Sequence, residues 1–171
     1  MLAQRLATFV IGAWIAGALF MVLVATQNFH AVDRLLAAPA PAAAERIQTV
    51  GGRDAARMFL RYHSSELNRF YFATSEQAQI VLGLALLLLV WRNGLADRLL
   101  CLAMLAIVLA GRLWLTPEIT LVGRLIDWIP PAASDPRRDY FWKLHGIYSA
   151  AEVTKQVLGV ALAIRLIKQT K

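Results

Sequence analysis

Residues Asp139–Lys155 read DYFWKLHGIYSAAEVTK, and the apolar run they open continues to Ile167. The length and greasiness of that run mark a membrane-spanning helix. Yet His145, Glu152 and Lys155 stand inside or beside it, and hydrocarbon disfavours all of them. What such groups do in a membrane helix is the question this stretch raises.

Composition names the solvent. With 58% apolar and only 17% charged residues in a chain of 171, and a mean hydropathy of +0.54, the sequence is too apolar for an ordinary soluble domain. It reads as an integral membrane protein. Cys101 is the single cysteine, so an intrachain disulfide and Cys-based metal or redox motifs are excluded. The net charge of +7 is spread over loops and helix ends rather than gathered into a stripe. Anionic lipid headgroups are the expected counter-charge, and nucleic acid is not an expected partner.

A helix needs about 20 predominantly apolar residues to cross the bilayer core with its backbone groups satisfied. Four segments meet this expectation, at about residues 6–28, 70–91, 99–115 and 144–167. The first follows Arg5 like a secretory signal, but its apolar region exceeds the roughly 7–15 residues of a cleaved one and reads as a retained span. It carries Gly12 and Ala16, and Ala13 and Gly17, at a spacing that lets a second helix approach closely. The second span opens on the polar YFATSEQAQ, and the third holds Arg112 near its end.

The connections are unequal. RNGLADR joins spans two and three in a tight turn, making them antiparallel neighbours. The first long connection contains AAPAPAAAE, expected to be extended at its prolines, and then RDAARMFLRYHSSELNRF, a helix expected to run on into span two. The second contains TPEITLVGRLIDWIPP, where Ile119, Val122, Leu125, Ile126 and Ile129 suit a short helix in the headgroup region, stopped by Pro130 and Pro131. The expected fold is therefore all-α: one integral membrane four-helix bundle over residues 1–171, with two long loops carrying amphipathic or interfacial helices on one face. Ten Lys and Arg on the long-loop side against six on the side of the termini would put the long loops in the cytoplasm. The eight acids in those loops weigh the other way, and so do the six bases, which lie close to the span ends.

Aligning His63 with His145 brings out a repeated phrase, Phe59-Leu60-Arg61-Tyr62-His63-Ser64 against Phe141-Trp142-Lys143-Leu144-His145-Gly146. Each copy precedes an apolar helix. Two helix pairs in the same order suggest a parallel duplication, against a background in which aromatic and basic residues are common at membrane interfaces anyway. The four-span order puts all three histidines, His30, His63 and His145, at one membrane face.

Depth gathers the ionisable groups. At 1.5 Å per residue, Glu76 lies about 22 Å from the far end of span two, Glu152 about 20 Å from Arg165, and Arg112 about 21 Å from Arg98. Lys155, about 15 Å from Arg165, falls near the midplane of a core about 30 Å thick. These two acids and two bases are expected to face the bundle interior and to pair, Glu152 with Lys155 along one helix and Glu76 or Glu152 with Arg112 across helices. His145, Ser149, Glu152 and Gln156 form one polar stripe on span four. The result is a polar cleft opening towards the long loops.

That cleft has three readings: a network that fixes helix packing, a site for a small ligand, ion or proton, and a haem site. The candidate ligand-binding residues are His63, His145, Glu152, Glu76, Lys155 and Arg112, and the candidate metal ligands are His63, His145 and Glu152. A haem would take His63 and His145 as axial ligands, although no c-type attachment motif is present, and the sequence names no cofactor. No nucleophile–base constellation, Gly-rich phosphate loop or HExxH occurs, so no enzymatic activity is expected. The alternative is a non-catalytic accessory subunit of a larger membrane complex, or a homo-oligomer, docking through the small-residue grooves of span one.

DPRRDYFWKLHGIYSAAEVTK resembles the closing motif of a small four-span membrane family of unknown function that includes a vertebrate transmembrane protein associated with platinum-drug resistance and many bacterial proteins. Asp135, Pro136, Phe141, His145 and Gly146 carry the likeness, and GAWIAGALFMVLVATQNF is similar to that family's opening helix. The family's serine is displaced here to Ser149, and its asparagine is replaced, nearest by Glu152. The resemblance implies a four-helix membrane fold, in a bacterial inner membrane, and no particular chemistry. An Asn only hydrogen-bonds, whereas Glu exchanges a proton or binds a cation, so the cleft of this chain need not act as its relatives' do.

Overall fold

Proline and glycine set the helix boundaries. In the structure, a computed structural model that describes residues 2–130 and 133–169, helix α1 spans Leu2–Ala37 and ends just ahead of Pro39. Only residues 38–40 break the helical path, because Pro41, whose missing N–H costs nothing at a first helical position, starts α2 at Pro41–Thr49. The Pro/Ala stretch is thus mostly helical, not extended as its composition suggests. Gly51 and Gly52 then take positive φ, 100° and 88°, and turn the chain into α3, Gly52–Val90. As expected, the long connection and span two form one uninterrupted helix.

After the turn at residues 91–94, α4 spans Leu95–Ala110 and passes through a π-helical turn, Gly111–Leu115, into α5, Thr116–Ile126. The expected separate surface helix is therefore the continuation of span three. Pro117 has no N–H for the helical ladder, and the wider turn lies directly before it, where an interruption is absorbed. Ile119 and Val122 pack towards Leu144, Phe141 and Tyr148 as their spacing predicts, but Leu125 is exposed. Helix α6 runs from Pro136 to Gln169. Of the residues used in the sequence reading, Pro131 and Lys171 lie outside the described residues.

Three helices, Leu2–Ala37, Gly52–Val90 and the rod Leu95–Ile126, are long and apolar enough to cross a membrane. The molecule is a multi-pass membrane protein. The fourth expected span, 144–167, lies in α6, which is not one of these three; Glu152, Lys155, Gln156 and Arg165 interrupt its apolar residues. Helix α6 nevertheless belongs to the bundle. Ile11 and Trp14 of α1, Leu86 and Val90 of α3, Cys101 and Met104 of α4, and Leu162 and Leu166 of α6 form one core. Gly83 marks its tightest point: a Cβ there would lie 2.3 Å from Leu105 Cδ2 and 2.9 Å from Trp14 Cη2, so a side chain at this position would push α3 off its neighbours.

The buried face of α1 is Ala7, Ile11, Trp14 and Ala18, with Trp14 against Gln79 and Gly83 of α3 and Ile11 against Gly159 of α6. Gly12, Ala13, Ala16 and Gly17 are exposed, so the groove expected from their spacing lies on the outer surface. Beyond the core the two helices continue side by side. Val32, Leu36 and Ala56 pack together with Ile47 of α2, and Asp33 pairs with Arg57 at 3.0 Å and Arg61 at 3.5 Å.

Candidate functional site

The inward face of α3 is one stripe, Ser64, Asn68, Glu76, Gln79, Gly83, Leu86 and Val90, polar in its first half and apolar in its second. Most of the polar half is satisfied by α1. Asn68 accepts a hydrogen bond from Asn28 at 2.6 Å and donates to the Ala25 carbonyl at 3.1 Å, while Gln79 accepts from the Trp14 indole at 3.0 Å and donates to Ser75 at 3.1 Å. Glu76 is different. It is 3% exposed and faces α5 and α6, where Oε1 accepts from the Thr116 hydroxyl at 2.5 Å and from the Tyr148 phenol at 3.5 Å. Its second oxygen, Oε2, is buried and has no hydrogen-bond partner among the described residues.

Glu76 forms part of the wall of a partly open cavity of about 160 Å³ between α3, the end of α4, the π-turn and α6, with the exposed Trp114 and Ile147 at its rim. Tyr148, Glu152 and Lys155 share that wall with Trp114, Leu115 and other apolar residues. Lys155 is 1% exposed, and its ammonium donates to Glu152 Oε1, the i,i+3 pair expected from the sequence. Gln156 Oε1, which does not line this cavity, is a further buried acceptor without a hydrogen-bond partner among the described residues. Leaving a buried acceptor such as Glu76 Oε2 unpaired costs about 1–3 kcal/mol, which makes this an expensive way to pack helices.

Arg112 does not close the expected cross-helix pair. It makes no salt bridge with Glu76 or Glu152; the carboxylate is held by two hydroxyls instead. Arg112 lines a second, open cleft of about 370 Å³, with Glu66, Arg69, Phe70, Thr116, Thr120 and Arg124. There Glu66 binds Arg124 through both carboxylate oxygens, at 3.0 and 3.1 Å, and Arg69 at 2.6 Å, and Arg69 also meets Asp127 at 2.8 Å. The Arg124 guanidinium, aided by Arg69, holds the Glu66 carboxyl below its ordinary range.

The histidines are not drawn into either space. His30 and His63 are exposed, and His145 stacks on Phe141 at 5.8 Å and meets the Trp142 ring edge-on at 5.7 Å. The two copies of the repeated phrase thus sit in unlike surroundings. Among the described residues no three His, Cys, Asp or Glu side chains converge as a metal site, so His63, His145 and Glu152 are not brought together as a ligand set. Neither His63 nor His145 lines the two spaces described above, and no step is assigned to a haem there.

One polar centre escaped the sequence reading. Asp97, fully buried at the start of α4, accepts from Arg165 Nε at 2.5 Å and from Gln169 at 2.8 Å, with Asn93 adding a bond at 3.4 Å. This latch ties the tight turn to the end of α6. The clue in the sequence is that RNGLADR and Arg165–Gln169 reach the same membrane face, and that Asp97 is the single acid there among several bases.

Searches of protein-family models, curated proteins and solved structures yield no match to this chain.

Proposed function

We propose that this protein is a non-catalytic, four-span component of a bacterial inner membrane whose partly open pocket binds a proton, a monovalent cation or a small cationic ligand at Glu76. The observation that carries the proposal is the unpartnered, buried Glu76 Oε2 in the wall of a 160 Å³ cavity. Ionised, the three charged groups of that wall, Glu76, Glu152 and Lys155, sum to one net negative charge. A low-dielectric interior favours taking up one positive charge to cancel it, and intramembrane carboxyls that do so form proton and ion sites. Helix α6 serves as the fourth span in this reading. Ile147, Val153, Val157, Val160, Ile164 and Ile167 give it an exposed apolar side, while Lys155 turns inward, as a polar membrane helix requires. Kinship with the four-span family stays part of the proposal and rests on the residues from Asp135 to Gly146.

Infrared spectroscopy of the full-length protein in lipid nanodiscs tests the site. A carboxyl C=O band that titrates with pH or responds to added sodium or potassium, and that vanishes in Glu76→Gln, is the expected result. An unchanged carboxyl spectrum in that variant under every condition would refute the reading.

One observation favours a second reading, an accessory subunit or homo-oligomer. The small-residue face of α1, Gly12, Ala13, Ala16 and Gly17, is exposed, and among the described residues nothing beyond α1's own backbone comes within 4 Å of a Cβ built on Gly12 or Gly17. Gentle extraction would then yield a stoichiometric larger assembly, disrupted by Gly12→Leu.

A further inference from the structure

The open cleft beside the π-turn has a charge balance that the Glu76 cavity does not explain. Three guanidinium groups, Arg69, Arg112 and Arg124, line it. Two are matched: Glu66 bridges Arg69 and Arg124, and Asp127 takes the other side of Arg69. Arg112 has no such partner, being joined to neither Glu66 nor Asp127 by hydrogen bond or salt bridge. Glu76 acts on it only through space, because that carboxylate is bound by Thr116 and Tyr148. Counting Arg69, Arg112 and Arg124 against Glu66 and Asp127 leaves one positive charge in a space of about 370 Å³.

The cleft also lies at a telling height. Trp128, Tyr140 and Trp142 are exposed on the same side of the bundle, and such rings collect at the level of lipid headgroups. A guanidinium recognises phosphate oxygens by parallel N–H bonds, and the Thr120 hydroxyl in the same wall supplies a further donor. From these placements we infer that the cleft is a binding site for a singly charged phosphate group, with Arg112 as its principal donor and Arg124 and Thr120 at its rim. A phosphodiester of an anionic lipid and a free inorganic phosphate offer the same chemistry. The cleft and the Glu76 cavity share no lining residue, although Thr116 of the cleft donates to Glu76 and Arg112 acts on it through space.

The test uses the full-length protein in neutral detergent, with thermal unfolding and direct binding followed against three probes: inorganic phosphate, dioctanoyl phosphatidylglycerol and dioctanoyl phosphatidylcholine. Stabilisation by phosphatidylglycerol alone assigns the site to a lipid headgroup. Stabilisation by inorganic phosphate as well assigns it to free phosphate. In either case Arg112→Gln weakens binding at least tenfold, roughly the loss of one charge-assisted hydrogen bond, and Arg112→Lys restores part of it. Should Arg112→Gln fail to fold, Arg124→Gln, at a more exposed position, is expected to weaken binding severalfold while the protein stays folded. Equal binding of the wild type and of the foldable variants, or no preference for the anionic probes over phosphatidylcholine, overturns the inference.

Discussion

Two buried acids, Asp97 and Glu76, stand near opposite ends of the bundle and receive opposite treatment. Asp97 is engaged through both oxygens by Arg165, Gln169 and Asn93. Glu76 has one oxygen occupied by two hydroxyls and the other idle in the wall of a cavity. Helix packing explains the first completely: a carboxylate withdrawn from solvent, with a guanidinium and two amides supplied at once, fastens α4 to α6. It does not explain the second, because the idle oxygen costs about 1–3 kcal/mol that packing does not return. The contrast separates a latch from a site.

Removing the latch should give the largest effect. Asp97→Ala strands Arg165 and Gln169, and a loss of about 2–3 kcal/mol is expected, at the low end for a broken buried pair because Arg165 remains partly exposed. Thermal unfolding in detergent measures it. Asp97→Asn keeps one acceptor oxygen and turns its NH2 towards the remaining donors, so it should cost somewhat less than Asp97→Ala but still destabilise. A wild-type melting temperature for Asp97→Ala would erase the distinction on which the comparison rests.

The Glu152–Lys155 pair lies between the two extremes. Lys155→Met leaves Glu152 without its partner in a half-dry wall, and a loss of about 1–3 kcal/mol is expected. The double variant Glu152→Gln with Lys155→Met should recover part of it, giving a coupling energy of about 1 kcal/mol in a double-mutant cycle. Strict additivity would show that the two groups serve separate ends.

The smallest effect belongs to the α3–α5 link. Because Arg124 and Arg69 hold the Glu66 carboxyl below its ordinary range, the unfolded chain binds its proton at a higher pH than the folded one does. The contribution of Glu66 is therefore complete above the ordinary glutamate range and is lost as pH falls through the lowered value. Glu66→Gln should change stability by no more than about 0.5–1 kcal/mol at neutral pH, since Arg124 is largely exposed, and it should flatten the acid limb of the stability curve. An unaltered acid limb would remove Glu66 from the account.

The sequence showed what periodicity and composition govern. The apolar runs, the continuity of the helix into span two and the Glu152–Lys155 pair all follow from spacing along a single helix, which a linear text records. What it concealed depends on relations between helices. The small residues of α1 promised a packed groove, but the bulk of Ile11 and Trp14 set the packed side instead. Arg112 and Glu76 share a depth, yet Thr116 and Tyr148 reach the carboxylate first. Histidines on one face were not thereby brought together, since depth fixes one coordinate and rotation about the helix axis fixes another. Pro117 looked like the start of a new helix, whereas a π-turn carried the old one past it.

The central claim, that Glu76 is kept for binding and not for stability, is tested most directly by the unfolding temperature of Glu76→Gln in the full-length protein. The amide oxygen preserves the acceptor for Thr116 and Tyr148 and removes the charge that nothing pairs. The account predicts that this variant melts at or above the wild-type temperature, as replacement of functional polar residues often does. A loss comparable to that of Asp97→Ala would make Glu76 a second latch and contradict the claim.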